Sequence, residues 1–411
     1  MTTRRSLVWL LGLGAFGLSF SISTTAAYLP PFLAKFTDSG TTIAAIVAAE
    51  GLFALSVPLV IGPWSDTFQT PMGRRKPFML AALPAFAFCL ALVAFMPTIW
   101  MVGLIIAAFY FAYYVYEPPY RGLYPDLLHE SMYGRSQSIQ HILRGAAIGI
   151  ALVGGGFLFH AWRPGPFLFA AVVTTTACGA VVFFVKEDGG HERVFKGVRT
   201  YVQISWHIFR REPKVRMFLA ANAAWEGTFA ALRTFVVLYI TRGLGQSIAV
   251  SSAVLATVAA GYVVAAIAAG RLGDSFGLAR VILWASVVYG TGLLAAGLAQ
   301  SWHNWFYGLI FPVAIAGGTV MTLSWALLFK LMPPEERGAI SGIATTTKGW
   351  GLVFGPLIAG GLIDVLRPHL EATDGYQVLW PVCAAPVILA IPIVASLVRA
   401  EPRGTPEPEL G

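Results

Sequence analysis

Twelve apolar runs, each about the length of a bilayer crossing, divide this chain at short charged intervals. They lie near residues 7–29, 41–63, 77–96, 98–120, 135–160, 165–185, 215–240, 247–270, 280–300, 303–329, 338–366 and 376–399. A helix needs about 20 apolar residues to cross the hydrocarbon core. Transmembrane strands are about ten residues long and alternate, so these unbroken runs read as helices. Only 12% of the residues are charged, against roughly 25% in a soluble domain, and 57% are hydrophobic. The chain is expected to be an all-α membrane protein.

The first run follows Arg4 and Arg5 and ends near Thr25-Ala26-Ala27, which looks like a signal-peptidase site. The run is longer than a usual signal core, and cleavage would leave an odd number of spans. It is read as a retained first span.

The basic residues orient the bundle. Of 28 Lys and Arg, 21 fall at the ends and in alternate loops. The opposite loops hold Lys35, Arg163, Arg242 and Arg367, while Arg144, Arg233 and Lys348 lie inside spans. The positive-inside rule then puts both termini in the cytoplasm, with the protein in the plasma (inner) membrane. The same bias accounts for the net charge of +8 without any nucleic-acid partner. Cys89, Cys178 and Cys383 all lie in apolar runs, form no CxxC pair and suggest neither a disulfide nor a metal site.

The densest charge cluster of the first third is Gly62-Pro63-Trp64-Ser65-Asp66-Thr67-Phe68-Gln69-Thr70-Pro71-Met72-Gly73-Arg74-Arg75-Lys76-Pro77. A shorter version, Gly270-Arg271-Leu272-Gly273-Asp274-Ser275-Phe276-Gly277, returns about 200 residues later. Tyr124-Pro125-Asp126 before the fifth run is echoed by Met332-Pro333-Pro334-Glu335-Glu336-Arg337 before the eleventh. Two echoes at one offset indicate a duplicated six-helix unit, a common plan for secondary transporters. The expected domains are 1–185, a central loop at 186–214 and 215–411. In that loop Val194, Val198, Tyr201 and Trp206 recur at near-helical spacing among Lys and Arg. It reads equally as a tether or as an interfacial helix on anionic lipid.

The hairpin has a physical logic. Gly62 would permit close helix approach, and Asp66 would meet a neighbouring helix N-terminus. Arg74, Arg75 and Lys76 would pair with carboxylates of the other bundle or with lipid phosphates, latching the cytoplasmic side. Plain charge anchoring would explain the bases, but not Asp66 and Asp274. Gly62, Asp66, Gly73, Arg74, Arg75, Gly270 and Asp274 are therefore the candidate gate.

Gly62 to Pro77 resembles the loop between the second and third helices of the major facilitator superfamily. The spacing from Asp66 to Gly73 and the following Arg-Arg-Lys-Pro-Phe are similar to the sucrose/proton symporter branch of the glycoside–pentoside–hexuronide family. So is Pro119-Tyr120-Arg121-Gly122-Leu123-Tyr124-Pro125-Asp126-Leu127. Thr67 and Glu117 depart from that pattern. The resemblance implies twelve transmembrane helices in two six-helix bundles and sugar import with a proton.

Charges inside spans are the remaining signal, each costing about 2.5–3.5 kcal/mol at mid-bilayer. Three acids, Glu50, Glu117 and Glu226, face three bases, Arg144, Arg233 and Lys348. Ion pairing between helices would satisfy them, Glu117 with Arg144 most simply. Glu226 and Arg233 share one helix face with Asn222 and Trp225, a surface suited to a polyol. The proton-site candidates are Glu117, Glu50 and Glu226, in that order, with His141 as a relay. The substrate-binding candidates are Tyr113, Arg144, Asn222, Trp225, Arg233, Lys348 and Trp350. Aromatic rings suit the C–H faces of sugars.

The function expected is secondary active transport by a monomer, with no cofactor or metal beyond a coupling ion, expected to be H+. Proton-driven export of drugs or metabolites is the alternative, and a non-transporting receptor a second. No GxxxxGK[ST] loop, metal-ligand cluster or large soluble segment points to an enzyme or an ATP-driven pump.

Overall fold

The computed structural model describes residues 4–128, 132–187, 203, 206–207, 209–331 and 337–400. The side chains at 4, 5, 63, 66, 125, 133–135, 137, 138, 141, 329, 337–345 and 400 lie outside that description. Among the described residues there are twelve long helices and no strands. They are α1 (Arg4–Leu33), α2 (Gly40–Thr67), α3 (Lys76–Leu92), α4 (Ile99–Leu127), α5 (Tyr133–Ala161) and α6 (Gly165–Phe184), followed by α7 (Pro213–Leu238), α8 (Ile248–Phe276), α9 (Leu278–Ala296), α10 (Phe306–Leu331), α11 (Arg337–Leu366) and α12 (Leu379–Ala400).

Eleven of these helices are long and apolar enough to cross a membrane. The exception is α7, whose charged residues include Lys214, Arg216, Glu226 and Arg233. Most of the loop at 186–214, including Val194, Val198 and Tyr201, falls outside the described residues. The three cysteines are free and buried.

Packing repeats the duplication seen in the sequence. In the first half α1 packs on α5 and α6, α2 on α4, and α3 on α4 and α6. Adding six to each number gives the second half: α7 on α11 and α12, α8 on α10, and α9 on α10 and α12. Among the described residues the halves join most closely through α2 with α11, α5 with α8, and α1 with α7. That set maps onto itself under the same shift, as a two-fold relation requires. Both charged hairpins turn on a left-handed glycine, Gly73 with φ 106° and Gly277 with φ 89°, where a side chain would be strained.

The start of α1 at Arg4 and the end of α12 at Ala400 lie at one end of the bundle, and the opposite end is the far side. Contacts between the halves begin at the far side, where α2 and α11 touch backbone to backbone. A Cβ on Gly360 would stand 2.4 Å from the Gly40 carbonyl oxygen. Small residues make such approach possible. The seam continues through Gly51 against Gly349 and Val353, and reaches Leu55 against Gly349. On the neighbouring α5–α8 seam, Gly156 lies against Ser252.

A hydrogen-bonded clasp closes this end. Asp364 of α11 accepts from the Ser39 hydroxyl at 2.8 Å and from the Gly40 and Thr41 amides at 2.7 and 2.9 Å. It thus holds the orphan donors of the α2 N-terminus, where the helix dipole favours an anion. Arg242 donates to Asp38 at 2.8 Å and to the Ala34 carbonyl, and Arg367 donates to the Asp38 carbonyl. Two of the four bases on the sparsely charged side thus bridge the halves.

Candidate functional site

Each half contributes charged side chains to the interior between them. Glu50, ten residues into α2, is 4% exposed. Its carboxylate accepts from the Arg233 guanidinium of α7, so this pair spans the two halves. Tyr110 and Tyr114 of α4 stand within the field of the pair. Sequence reading placed Arg233 beside Glu226 on one helix; the structure gives it Glu50, a partner on another.

Nearer the chain ends, Glu117 pairs with Arg121 one turn along α4 at 2.5 Å. This corrects the expected Glu117–Arg144 pair: a partner at i+4 is already at hand within the same helix. Arg144 on α5 is half-buried, and its buried Nε has no partner. It acts on Tyr113, Tyr120 and Tyr124. Tyr113 is buried against Phe86, Phe109 and Tyr114. His141 lies on α5, with its side chain outside the described residues.

In the second half Glu226 is 7% exposed, with no hydrogen bond or ion pair among the described residues. The charges acting on it are Lys348, Arg233 and Glu50. Asn222, one turn before it, donates to the Thr347 hydroxyl at 3.0 Å, tying α7 to α11. Lys348 follows Thr347. Gly349 and Val353 turn toward α2, while Gly351 and Gly355 turn toward Gly227 of α7. Lys348 lies between these two faces of α11, directed into the bundle.

Trp350, two residues on, points elsewhere. It is half-exposed, stacks on Phe354 at 5.1 Å, and lines a groove of about 220 Å³ formed by α7, α11 and α12. Trp225 is fully buried against Phe218 and its indole N–H has no partner. The structure therefore brings together Glu50, Arg233, Tyr110, Tyr114, Glu226 and Lys348, but places Trp350 outside this group.

The expected gate residues divide. Arg74 and Arg75 both reach Asp126 at the end of α4, at 3.0 and 2.7 Å. Glu187, just past α6, accepts from the Arg75 and Lys76 amides at the α3 N-terminus. Their described carboxylate partners thus belong to the same half rather than the other bundle. Gly62 and Gly270 are not close-approach points: a Cβ on Gly62 would meet Pro118 at 4.0 Å, and one on Gly270 would meet nothing. Gly122 takes that role, since a Cβ there would fall 1.8 Å from Arg75 Nη1. Asp274 is exposed, and the Asp66 side chain lies outside the described residues. Sequence reading missed the clasp of Asp38, Arg242, Asp364 and Arg367; the sparse charge of that side was its only signal.

Known proteins place this geometry. The chain is 32% identical over 120 residues to multidrug resistance protein 3 of Bacillus subtilis (strain 168), covering 28% of this chain but only 23% of that relative. It is 24% identical over 358 residues to the multi-drug resistance efflux pump PmrA homolog of Lactococcus lactis subsp. lactis (strain IL1403), covering 85% of this chain and 86% of that one. The fold resembles that of a bacterial homolog to the human lysosomal transporter Spinster, in an inward-facing and occupied conformation. That match has TM-score 0.78 and 12% identity over 99% of this chain and 100% of the other. The family model described as Major Facilitator Superfamily matches residues 11–237 and again 227–410. With both halves of the chain matched, and with the packing of one half repeated in the other, this protein belongs to the Major Facilitator Superfamily of membrane transporters.

Proposed function

We propose that the chain is a proton-coupled secondary transporter that carries a small organic solute by alternating access, with the proton bound at Glu226. The observation that carries this reading is the burial of Glu226 without a hydrogen-bonding or ion-pairing partner, beside Lys348. A buried carboxylate of this kind is where a mobile proton has most effect on neighbouring charge. Protonation releases Lys348 toward the solute. The Glu50–Arg233 pair then breaks as the far side opens. A membrane potential contributes about 2.3 kcal/mol per 100 mV for each charge moved.

Both termini are cytoplasmic in this reading, so the clasped far side faces outward. The protein acts as a monomer in the plasma membrane, with 186–214 as a cytoplasmic tether and H+ as its only ion. Proton-coupled uptake is the primary assignment. The sugar cargo has weaker support, because Trp350 lies in a lateral groove and Trp225 is enclosed. Export is the second reading, favoured by the relative described as a multi-drug efflux pump.

The test is proteoliposomes with an imposed pH gradient, screened for driven solute flux and for internal acidification. Glu226→Gln is expected to keep solute exchange without a gradient and to lose gradient-driven accumulation. Unchanged accumulation in that variant removes Glu226 as the proton site. Flux only against the inward proton flow moves the assignment to export.

A further inference from the structure

The charges inside the bundle are uneven. Among the described residues the spans carry three acids, Glu50, Glu117 and Glu226, and four bases, Arg121, Arg144, Arg233 and Lys348, of which Arg121 and Lys348 are exposed. Two pairs are closed, Glu50 with Arg233 and Glu117 with Arg121. Glu226 is left with Lys348 as the unpaired cation acting on it, and Arg144 is the second base without an ion pair among the described residues. Arg144 comes from α5 in the first half, with its Nε buried and unpartnered among Tyr113, Tyr120 and Tyr124. Lys348 comes from α11 in the second half, exposed, and acts on Glu226 without forming an ion pair. A solute between the halves therefore meets one free cation from each.

We propose that the transported solute is an organic monoanion with an aromatic or apolar body, held between Arg144 and Lys348 with Glu226 protonated in the same complex. This rests on the transport reading above and names its cargo. A buried guanidinium nitrogen without a partner is costly, as at Arg144 Nε, and an anion is a ligand that removes that cost, while the exposed Lys348 stands free to meet the same anion. Protonating Glu226 raises the unmatched positive charge from one to two, and one negative charge on the solute brings it back to one. A neutral sugar leaves both cations unpaired, and an organic cation adds to the excess. The anion and the Glu226 carboxylate compete for Lys348, so a proton on Glu226 and an anion on Lys348 favour each other. That mutual preference makes uptake of proton and anion together the natural stoichiometry. The Asn222–Thr347 hydrogen bond flanks both Glu226 and Lys348 and fixes their helices in register. Tyr110 and Tyr114 stand in the field of the Glu50–Arg233 pair, and Tyr113 packs on Tyr114.

Three naphthalene probes with one body and different permanent charge test this: naphthalene-2-sulfonate, naphthalene-2-sulfonamide and a 2-naphthyltrimethylammonium salt. Binding is read on the purified full chain in detergent, and transport in proteoliposomes with an internal pH dye. The sulfonate is expected to bind at least tenfold more tightly than either other probe. Arg144→Gln and Lys348→Gln should each weaken the sulfonate at least tenfold and leave the sulfonamide unchanged. Arg144→Lys and Lys348→Arg should retain binding, which separates loss of charge from misfolding. Sulfonate uptake should acidify the vesicles with the native chain and not with Glu226→Gln. Absent sulfonate binding, equal or tighter binding of another probe, or indifference of sulfonate to both Gln substitutions overturns the anion site. Proton movement driven by the ammonium probe alone keeps the transport reading and overturns the anion. Charge-selective sulfonate binding with no movement of any probe or proton keeps the site and overturns the transport reading.

Discussion

The Arg233 guanidinium on α7 donates to the Glu50 carboxylate on α2, joining two helices from opposite halves that are 183 residues apart. Removing one partner of a buried pair typically costs about 3–5 kcal/mol, because the other charge is left unpaired. Glu50→Gln and Arg233→Gln are each expected to lower the melting temperature in detergent. The double variant should lose markedly less than the two losses added together. Additive losses would show that the pair does not couple the halves.

The clasp predicts a shift between states rather than unfolding. Asp364 takes three donors from the start of α2, and Asp364→Asn removes the charge from all of them. Since the site is partly exposed, the expected loss is about 1–3 kcal/mol. Spin labels at Lys35 and His369, both exposed on the far side, should gain a longer-distance population in the variant. An unchanged distance distribution would mean that the clasp does not hold this end closed.

Close backbone contact between α7 and α11 makes a third prediction. A Cβ on Gly355 would stand 2.1 Å from the Gly227 carbonyl oxygen, whereas Gly361 has nothing within 4 Å. Gly355→Ala should destabilise by about 1–3 kcal/mol. Gly361→Ala should be neutral or slightly stabilising through helix propensity. Thermal melts of the two variants side by side provide the check.

The helices were legible because apolar length alone specifies them in a bilayer, and even α7 was visible despite its charges. The duplicated hairpins foretold the repeated packing. Partners were harder to read. Glu117 looked toward Arg144 because Arg121 was counted as a loop base, although it sits one turn along the same helix. Glu50 and Arg233, like Gly40 and Asp364, meet only through folding, and no local pattern links residues so distant in sequence. Trp350 and Lys348 are two residues apart, so a helix turns them to opposite sides, and composition cannot say which side is inward.

Arg75 fits against α4 because Gly122 leaves room for its guanidinium. Gly122→Ala and Arg75→Ala are therefore expected to destabilise by similar amounts, about 1–3 kcal/mol each. Combining them should add little beyond either alone. A double variant that melts at the sum of both losses would separate the glycine from the arginine.

Asp126 and Glu187 have a mechanical consequence. One binds the bases at the start of α3 to the end of α4, and the other binds the amides of the same turn to the end of α6. Three helices thus meet at one rivet on the side of the chain ends. A displacement imposed on α4 at its tyrosines would therefore be passed to α3 and α6 together, rather than absorbed by a loop between them.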